Sequence, residues 1–128
     1  MTSGSPRFVL HEHFSHHHHF DFRLEREGVL ASWAVPKGLP GMHGERRLAI
    51  EVEDHPLSYG DFEGKIPEGE YGAGEVRIAD TGTYDTLAWT GDRVEVVLHG
   101  KLFSGKYVIL RFKKAGEKNW IILKGKEG

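Results

Sequence analysis

The chain has 128 residues, of which 38% are hydrophobic and 28% are charged, and its formal net charge is −2 at pH 7. These values are typical of a single globular domain. The absence of cysteine excludes disulfides, thiolate metal ligands and cysteine nucleophiles, and it fits a reducing, cytoplasmic location. No apolar run approaches the ~20 residues of a membrane span, and no signal-peptide pattern precedes the domain, so we expect no membrane partner.

The small net charge conceals an uneven distribution along the chain. Residues 101–128 carry eight Lys and Arg against two acidic residues, whereas residues 1–100 carry nine Lys and Arg against 17 acidic residues. A basic end beside an acidic body could attract a nucleic acid, and it could equally keep edge strands soluble and unpaired. The charge distribution leaves both interpretations open.

The first third of the chain is predicted to form strands. We expect Met1–Pro6 to be a disordered lead-in and residues 7–128 to form a single domain. Period-two alternation then predicts strands, with a hairpin turn at Glu25–Gly28. The predicted strands here are Arg7–His13, His17–Glu25 and Val29–Val35.

The remainder also predicts strands, separated by glycine-rich and proline-rich stretches. Arg46–Glu53 alternates, and the pattern places Leu48, Ile50 and Val52 inward. Asp54–Gly74 is expected to be a long functional loop. Further strands are predicted at Glu75–Ala79, Thr83–Trp89, Arg93–His99, Lys106–Lys113 and Trp120–Lys124. Because no segment has a sustained helical period, the fold class is all-β and mainly antiparallel, a compact closed or partly closed barrel with little helix.

One face of the His-rich strand carries the residues with the clearest chemistry. His19 and Asp21 form a His-x-Asp pair on that face, with His13 six residues upstream across a short turn. Two imidazoles and a carboxylate suit Mn²⁺, Fe²⁺ or Zn²⁺, and three protein ligands leave open positions for water or substrate. The alternative is a set of scattered surface histidines. We do not count His16 and His18 as ligands.

Arg23 lies on the same predicted face, where a guanidinium beside a divalent cation suits a phosphate. The alternative for Arg23 is a salt bridge to Glu25 or Glu51. Lys37 and Arg47 could add to an anion site or be plain surface charges. His55 and Tyr59 lie in the predicted loop, where a histidine could stabilise a phosphoryl transition state or cap a turn.

Several motifs give the chain a family resemblance. The motif H-x5-H-x-D-F-R-L-E spans residues 13–25, S-W-A-V-P-K-G spans 32–38, and R-L-A-I-x-V-E-D-H-P-L-x-Y-x-D-F-E-G spans 47–64. With I-P-x-G-x-Y-G-x-G-x-V at residues 66–76, they resemble the 3′-phosphoesterase module of bacterial DNA ligase D and its freestanding archaeal homologues. With a further similar stretch at residues 99–124, the resemblance covers nearly the whole chain in the same order.

The resemblance implies a β-barrel enzyme of DNA repair by non-homologous end joining that heals 3′ ends. Such an enzyme trims a 3′-terminal ribonucleotide from the primer strand of a duplex as a phosphodiesterase, then removes the 3′-phosphate as a phosphomonoesterase to leave a 3′-OH. It would use Mn²⁺, with Zn²⁺ or Co²⁺ as ions a crystal could hold, and could work with a separately encoded DNA ligase and polymerase. The matching motifs imply that His13, His19 and Asp21 bind the metal and that Arg23 and His55 contact the phosphate. They imply that Tyr59 is an essential neighbour in the active site, and that Lys37 and Arg47 assist the diesterase step.

The sequence departs from the family pattern at two places. His11 stands where the family usually has Gln or Glu, and His16–His18 replace a more varied stretch that often contains Arg. Phosphate or DNA contacts from that turn are therefore not carried over.

Two other functions fit parts of the pattern. His19 and Asp21 with a distant histidine, His55 or His99, describe the facial triad of a non-haem Fe(II) oxygenase. A non-catalytic nucleic-acid-binding barrel would instead use aromatic side chains and the basic end. Its candidate aromatic residues are Trp33, Trp89 and Trp120.

Overall fold

The computed structural model describes residues 5–70 and 73–126, and within them the regular structure is almost all β. No helix in the described ranges is long and apolar enough to span a membrane. The strands are β1 Arg7–Phe14, β2 His19–Arg26, β3 Val29–Val35, β4 Arg46–Pro56, β5 Gly64–Ile66, β6 Gly74–Trp89, β7 Arg93–Gly100, β8 Ser104–Arg111 and β9 Asn119–Lys124, with short 3₁₀ helices at Leu57–Asp61 and Lys113–Ala115.

Eight of these strands close into an antiparallel barrel. The order is β1-β2-β3-β4-β9-β8-β7-β6, and β6 returns to pair with β1, while the three-residue β5 adds to β6 outside the closed ring. Closure leaves these eight strands without a free edge. The predicted all-β barrel is confirmed.

Strand β6 is longer than its sequence indicated. We predicted two strands, Glu75–Ala79 and Thr83–Trp89, but Gly74–Trp89 is a single strand that pairs with β1 through its first half and with β7 through its second. Register shifts interrupt both pairings. Such bulges let one long strand bend from one neighbour to the next. The prediction of two strands was therefore wrong.

The barrel core confirms the predicted alternation of β2. Phe22 and Leu24 are fully buried in the core, and Asp21 and Arg23 point to the opposite, outer face. At the end of this strand the predicted hairpin is a two-residue turn, with Glu27 at φ 53° and Gly28 at φ 84°. Positive φ at both positions is the requirement of a type I′ turn, which suits a tightly twisted hairpin.

The predicted inward face of β4 is wrong. Ala49 is fully buried in the core, whereas Leu48 is 42% exposed. Ala49 pairs with Trp120, whose indole packs at 5.8 Å from the indole of Trp33. These large rings fill the space that the strand faces, so a small inward side chain fits there and the aliphatic residues lie on the outer face.

A buried carboxylate holds the turn between β7 and β8. Asp80 on β6 is 5% exposed, and it accepts backbone N–H bonds from Lys101 at 3.1 Å, Leu102 at 3.0 Å and Phe103 at 2.8 Å. A Cβ on Gly100 would lie 2.4 Å from Asp80 Oδ2, so only glycine allows this approach.

Asp80→Asn should lower the free energy of unfolding by roughly 1–3 kcal/mol, because the amide keeps one acceptor oxygen and turns a donor toward the buried N–H groups. Urea unfolding measures the change. Asp85→Asn is the matched control on the same strand, where the exposed carboxylate meets His99. A loss for Asp80→Asn no larger than the control's would contradict this assignment.

The predicted loop Asp54–Gly74 is more ordered than expected. Strand β4 continues through Pro56, and residues 57–66, here called the covering segment, lie over the outer face of β1. Three side chains attach this segment. Arg7 Nη1 meets Asp61 Oδ1 at 2.7 Å, His11 Nε2 meets the Phe62 carbonyl at 3.0 Å, and Glu63 accepts the Ile78 N–H at 2.8 Å.

Residues 1–4 of the predicted disordered lead-in lie outside the described residues. The Pro6 carbonyl accepts a hydrogen bond from the Tyr84 N–H at 2.9 Å. The backbone next to β1 is therefore attached to β6.

Candidate metal and phosphate site

Two imidazoles and a carboxylate converge on the outer face of β1 and β2. The antiparallel register sets His13 directly opposite His19, and Asp21 follows two residues along on the same face. One potential ligand atom from each residue lies within 4.8 Å of the others. His19 Nε2 is 3.4 Å from Asp21 Oδ1, and His13 Nδ1 is 3.9 Å from Asp21 Oδ2. The structure therefore brings the three predicted ligands together.

The orientation of His19 suits a ligand. Its Nδ1 lies 2.7 Å from the carbonyl oxygen of His17, which can only accept a hydrogen bond. The Nδ1 therefore carries the proton, and in the neutral ring the Nε2 lone pair faces Asp21. A backbone carbonyl that fixes the tautomer of a histidine is the usual outer partner of a metal ligand. The donor set fits a divalent cation.

The charges in the cluster favour an ionised carboxylate. Burial raises the pKa of Asp21, but the His19 hydrogen bond and the Arg23 charge outweigh burial and leave that pKa below its usual value. The hydrogen bond to Asp21 raises the pKa of His19, while burial opposes the shift. At neutral pH Asp21 is therefore available as an anionic ligand.

Mn²⁺ affinity should fall as the pH is lowered through the range where His19 gains a proton. The pKa of His19 is raised above 6.5, so as the pH falls His19 gains a proton at a higher pH than a free imidazole does. The protonated ring cannot bind the metal, and Mn²⁺ affinity is regained above the pKa of His19. Isothermal titration calorimetry with Mn²⁺ between pH 5.5 and 8 measures the trend. A constant Kd over this range would contradict histidine ligation.

Arg23 is buried beside the cluster and is held by several polar groups. The residue is 3% exposed, and its Nη2 lies 3.4 Å from Asp21 Oδ2. Nη1 donates to Ser32 Oγ at 2.9 Å and lies 3.2 Å from His55 Nδ1. The alternative salt bridges to Glu25 and Glu51 are not formed. Glu25 Oε1 instead accepts the Arg7 N–H at 3.0 Å, and Glu51 Oε1 accepts the Trp120 indole N–H at 3.1 Å.

His55 and Tyr59 reach Arg23 from the other side. His55 lies on β4 opposite Leu30, and burial, with the Arg23 charge, lowers its pKa. The Tyr59 ring stacks on Phe62 and packs at a tilt against His55, and the Arg23 guanidinium lies 4.9 Å from the Tyr59 centroid. The extension of β4 and the covering segment thus place both predicted residues beside the cluster.

These groups share one cavity of about 580 Å³. Six of the eight predicted site residues line it, together with the apolar side chains of Ala34 and Val52 and the polar side chains of His16 and His17. The six are His13, His19, Asp21, Arg23, His55 and Tyr59.

Lys37 and Arg47 are absent from the described lining of this cavity. Arg47 Nη1 donates to the Lys37 and Gly38 carbonyls, and Nη2 pairs with Glu45 at 2.5 Å. The Lys37 side chain is exposed. The structure joins these two residues to one another through a backbone carbonyl, and their assistance to a diesterase step stays a prediction.

His11 belongs to the site, although the pattern of residue types assigned it no role. It is fully buried two residues before His13 on the same strand face. Burial, together with the Arg23 charge, lowers the pKa of His11 to about 4, so the ring is neutral at physiological pH. The period-two spacing of His11 and His13 could have placed it on this face, but only the structure shows its partners.

The indoles required by a non-catalytic binding surface face the interior. Trp33 and Trp120 are each 3% exposed, and Trp89 packs against Trp33. These rings line a separate cavity of about 260 Å³, and His13, His19 and Asp21 are not among its lining residues. Trp33 and Trp120 therefore offer no exposed platform for stacking bases, and the half-buried Trp89 ring already packs against the Arg26 guanidinium at 4.2 Å.

Comparison with known proteins assigns the family. Residues 11–111 match the model of the DNA ligase D 3′-phosphoesterase domain. Over 115 residues the chain is 53% identical to the multifunctional non-homologous end joining DNA repair protein LigD of Mycobacterium tuberculosis. The aligned region covers 87% of this chain and 15% of that protein. The LigD proteins of Mycolicibacterium smegmatis and Pseudomonas aeruginosa are 42% and 41% identical, over 94% and 99% of this chain and 17% and 16% of theirs. The chain thus spans about a sixth of these relatives, and it belongs to the DNA ligase D 3′-phosphoesterase domain family.

Proposed function

We propose that this domain heals blocked 3′ ends of nucleic acid by hydrolysing phosphoesters. It would remove a 3′-terminal ribonucleotide as a phosphodiesterase and a 3′-phosphate as a phosphomonoesterase, leaving a 3′-OH. The observation that carries the proposal is the meeting of a His₂Asp cluster and a buried guanidinium in one cavity. Family membership supports the reaction class, and the individual activities are our inference.

His13, His19 and Asp21 would hold the metal, for which we propose Mn²⁺. When bound, a divalent ion there would polarise a phosphate oxygen and lower the pKa of a bound water. The buried carboxylate supplies negative charge, and the fixed ring of His19 limits reorganisation of the ligands.

Arg23 would bind the phosphate beside the ligand cluster. Its charge is buried and already oriented, so it can stabilise an equatorial phosphate oxygen with little rearrangement. His55 Nδ1 lies 3.2 Å from Arg23 Nη1, which can only donate, and 3.1 Å from the Glu53 carbonyl, which can only accept. The His55 imidazole would be a second polar group beside the phosphate, and the Tyr59 ring packs against both His55 and Arg23.

The substrate we propose is a primer–template duplex whose 3′ end carries a ribonucleotide or a phosphate. The relatives are multifunctional non-homologous end joining proteins. A separately encoded ligase and polymerase acting with this domain, and its cytoplasmic location, remain predictions.

The oxygenase hypothesis gains no support from the distant histidines. His55 contacts Arg23, and His99 pairs with Asp85 at 2.8 Å outside the cavity. The nearby His13 completes the cluster instead. A facial triad also has no need of the buried Arg23.

The test is an end-healing assay on labelled primer–templates that end in one ribonucleotide, a 3′-phosphate or plain DNA. We expect the first two ends to be converted to 3′-OH and the third to be unchanged. EDTA should abolish conversion and Mn²⁺ should restore it. His19→Ala should be inactive, and His99→Ala, an exposed histidine outside the cavity, is the matched control. Full activity in EDTA, or no conversion of either blocked end with Mn²⁺, would overturn the proposal.

A further inference from the structure

We propose that His11 is a positioning residue, which holds the Arg23 guanidinium in the orientation needed to bind the phosphate. The inference rests on the function proposed above and assigns a task to a buried residue that the proposed mechanism does not use.

The hydrogen bonds of His11 define its tautomer. Arg23 Nε donates to His11 Nδ1 at 3.0 Å, so Nδ1 must offer its lone pair. In the neutral ring the proton is then on Nε2, which lies 3.0 Å from the Phe62 carbonyl. The imidazole therefore accepts from Arg23 on one side and donates to the covering segment on the other.

Counting the donors of Arg23 shows why this bond matters. A guanidinium has five N–H bonds in one plane. Among the described residues, one is directed at His11, two at Ser32 and His55, and one at Asp21. One Nη2 N–H therefore remains for a bound phosphate. His11 is the partner of Nε, and with the three partners of Nη1 and Nη2 it defines the rotation of the guanidinium plane.

The same bond links Arg23 to the wall of the cavity. Phe62 follows the 3₁₀ turn that carries Tyr59, and the Tyr59 ring lies 5.4 Å from the His11 ring. A single imidazole thus fixes the guanidinium relative to the covering segment. Small misplacements of a binding group can cost on the order of a hundredfold in rate.

Two substitutions separate hydrogen bonding from packing. Glutamine can reproduce both bonds, because its amide oxygen can accept from Arg23 and its NH₂ can donate to the Phe62 carbonyl. Leucine fills the buried space but offers neither group. We expect H11L to lower kcat/KM by about ten- to a hundredfold, as for a displaced binding group, and H11Q to recover most of the loss.

The experiment compares wild type, H11L and H11Q in four measurements: kcat and KM on a 3′-phosphate end, Kd for Mn²⁺ alone, Kd for inorganic phosphate with Mn²⁺ present, and Tm. H11L should bind phosphate more weakly and keep the Kd for Mn²⁺, and H11Q should resemble wild type. The phosphate titration keeps the inference testable apart from the proposed function, because it needs no turnover. Activity of wild type on neither blocked end would reject the function alone.

Wild-type phosphate binding in H11L would overturn the inference. So would equal impairment of H11Q and H11L, or a loss of Mn²⁺ affinity in H11L that matches its loss of phosphate affinity. If H11L does not fold, two-bond ¹H–¹⁵N spectra of the wild type, assigned with H11Q, decide the question. A proton on Nε2 supports the proposal, and a proton on Nδ1 contradicts it.

Discussion

Asp21→Asn should reduce end-healing activity by about a hundred- to a thousandfold, the scale of removing one charge-stabilising group. The substitution preserves volume but replaces an anionic ligand with a neutral amide. If the amide oxygen keeps its contact with Arg23, the NH₂ group faces the Nε2 lone pair of His19, which would otherwise bind the metal. Because the pKa of Asp21 is held below its usual value, the wild-type charge is fully present at neutral pH.

Steady-state kinetics and Mn²⁺ titration measure the two effects of this substitution. The Kd for Mn²⁺ should rise together with the loss of activity. Asp85→Asn removes a carboxylate that pairs with an exposed histidine, and it should leave both quantities unchanged. An Asp21→Asn variant that binds Mn²⁺ as wild type does would mean that this carboxylate is not a ligand.

Arg23→Lys should lower kcat/KM by about a hundred- to a thousandfold while leaving Mn²⁺ affinity intact, as expected for the loss of one oriented donor to a phosphoryl transition state. A lysine cannot present a planar fork to His11, Ser32 and the phosphate together. Burial would also favour the uncharged amine.

The matched control for Arg23→Lys is Arg26→Lys on the same strand. The Arg26 guanidinium lies 4.2 Å from the Trp89 ring, outside the cavity. We expect this variant to retain wild-type kinetics. Near-normal activity of Arg23→Lys would show that a positive charge alone suffices and that the fork is not used.

The ligand cluster could be predicted because it depends on local features. The alternation from His19 to Leu24 determines which side chains share a face. A hairpin-like return then brings His13 of β1 opposite His19. Both features come from adjacent segments, so the residue pattern is enough to predict them.

The position of His55 could not be derived in this way. It depends on how far β4 extends, on a register shift between Leu30 and Ser32 in β3, and on the attachment of the covering segment to β1. These are contacts between residues far apart in sequence, and the proline and glycine residues nearby indicated a loop. The resemblance named His55, but the contact that directs it to Arg23 is visible only in three dimensions.

The face of β4 was misassigned for a related reason. One face of this strand carries three aliphatic side chains, including Leu48, and the opposite face carries only Ala49, so the sequence suggested that the first face was the core. The volume of Trp33 and Trp120 inside the barrel selects Ala49 instead. Packing against distant rings, rather than alternation, decides the orientation.

The most direct test of the metal site is an anomalous difference map at the manganese absorption edge, from crystals of the protein grown with MnCl₂. We predict a single strong peak bonded to His13, His19 and Asp21, beside the Arg23 guanidinium. A peak on the His16–His18 run instead, or no peak among the three proposed ligands, would contradict the account.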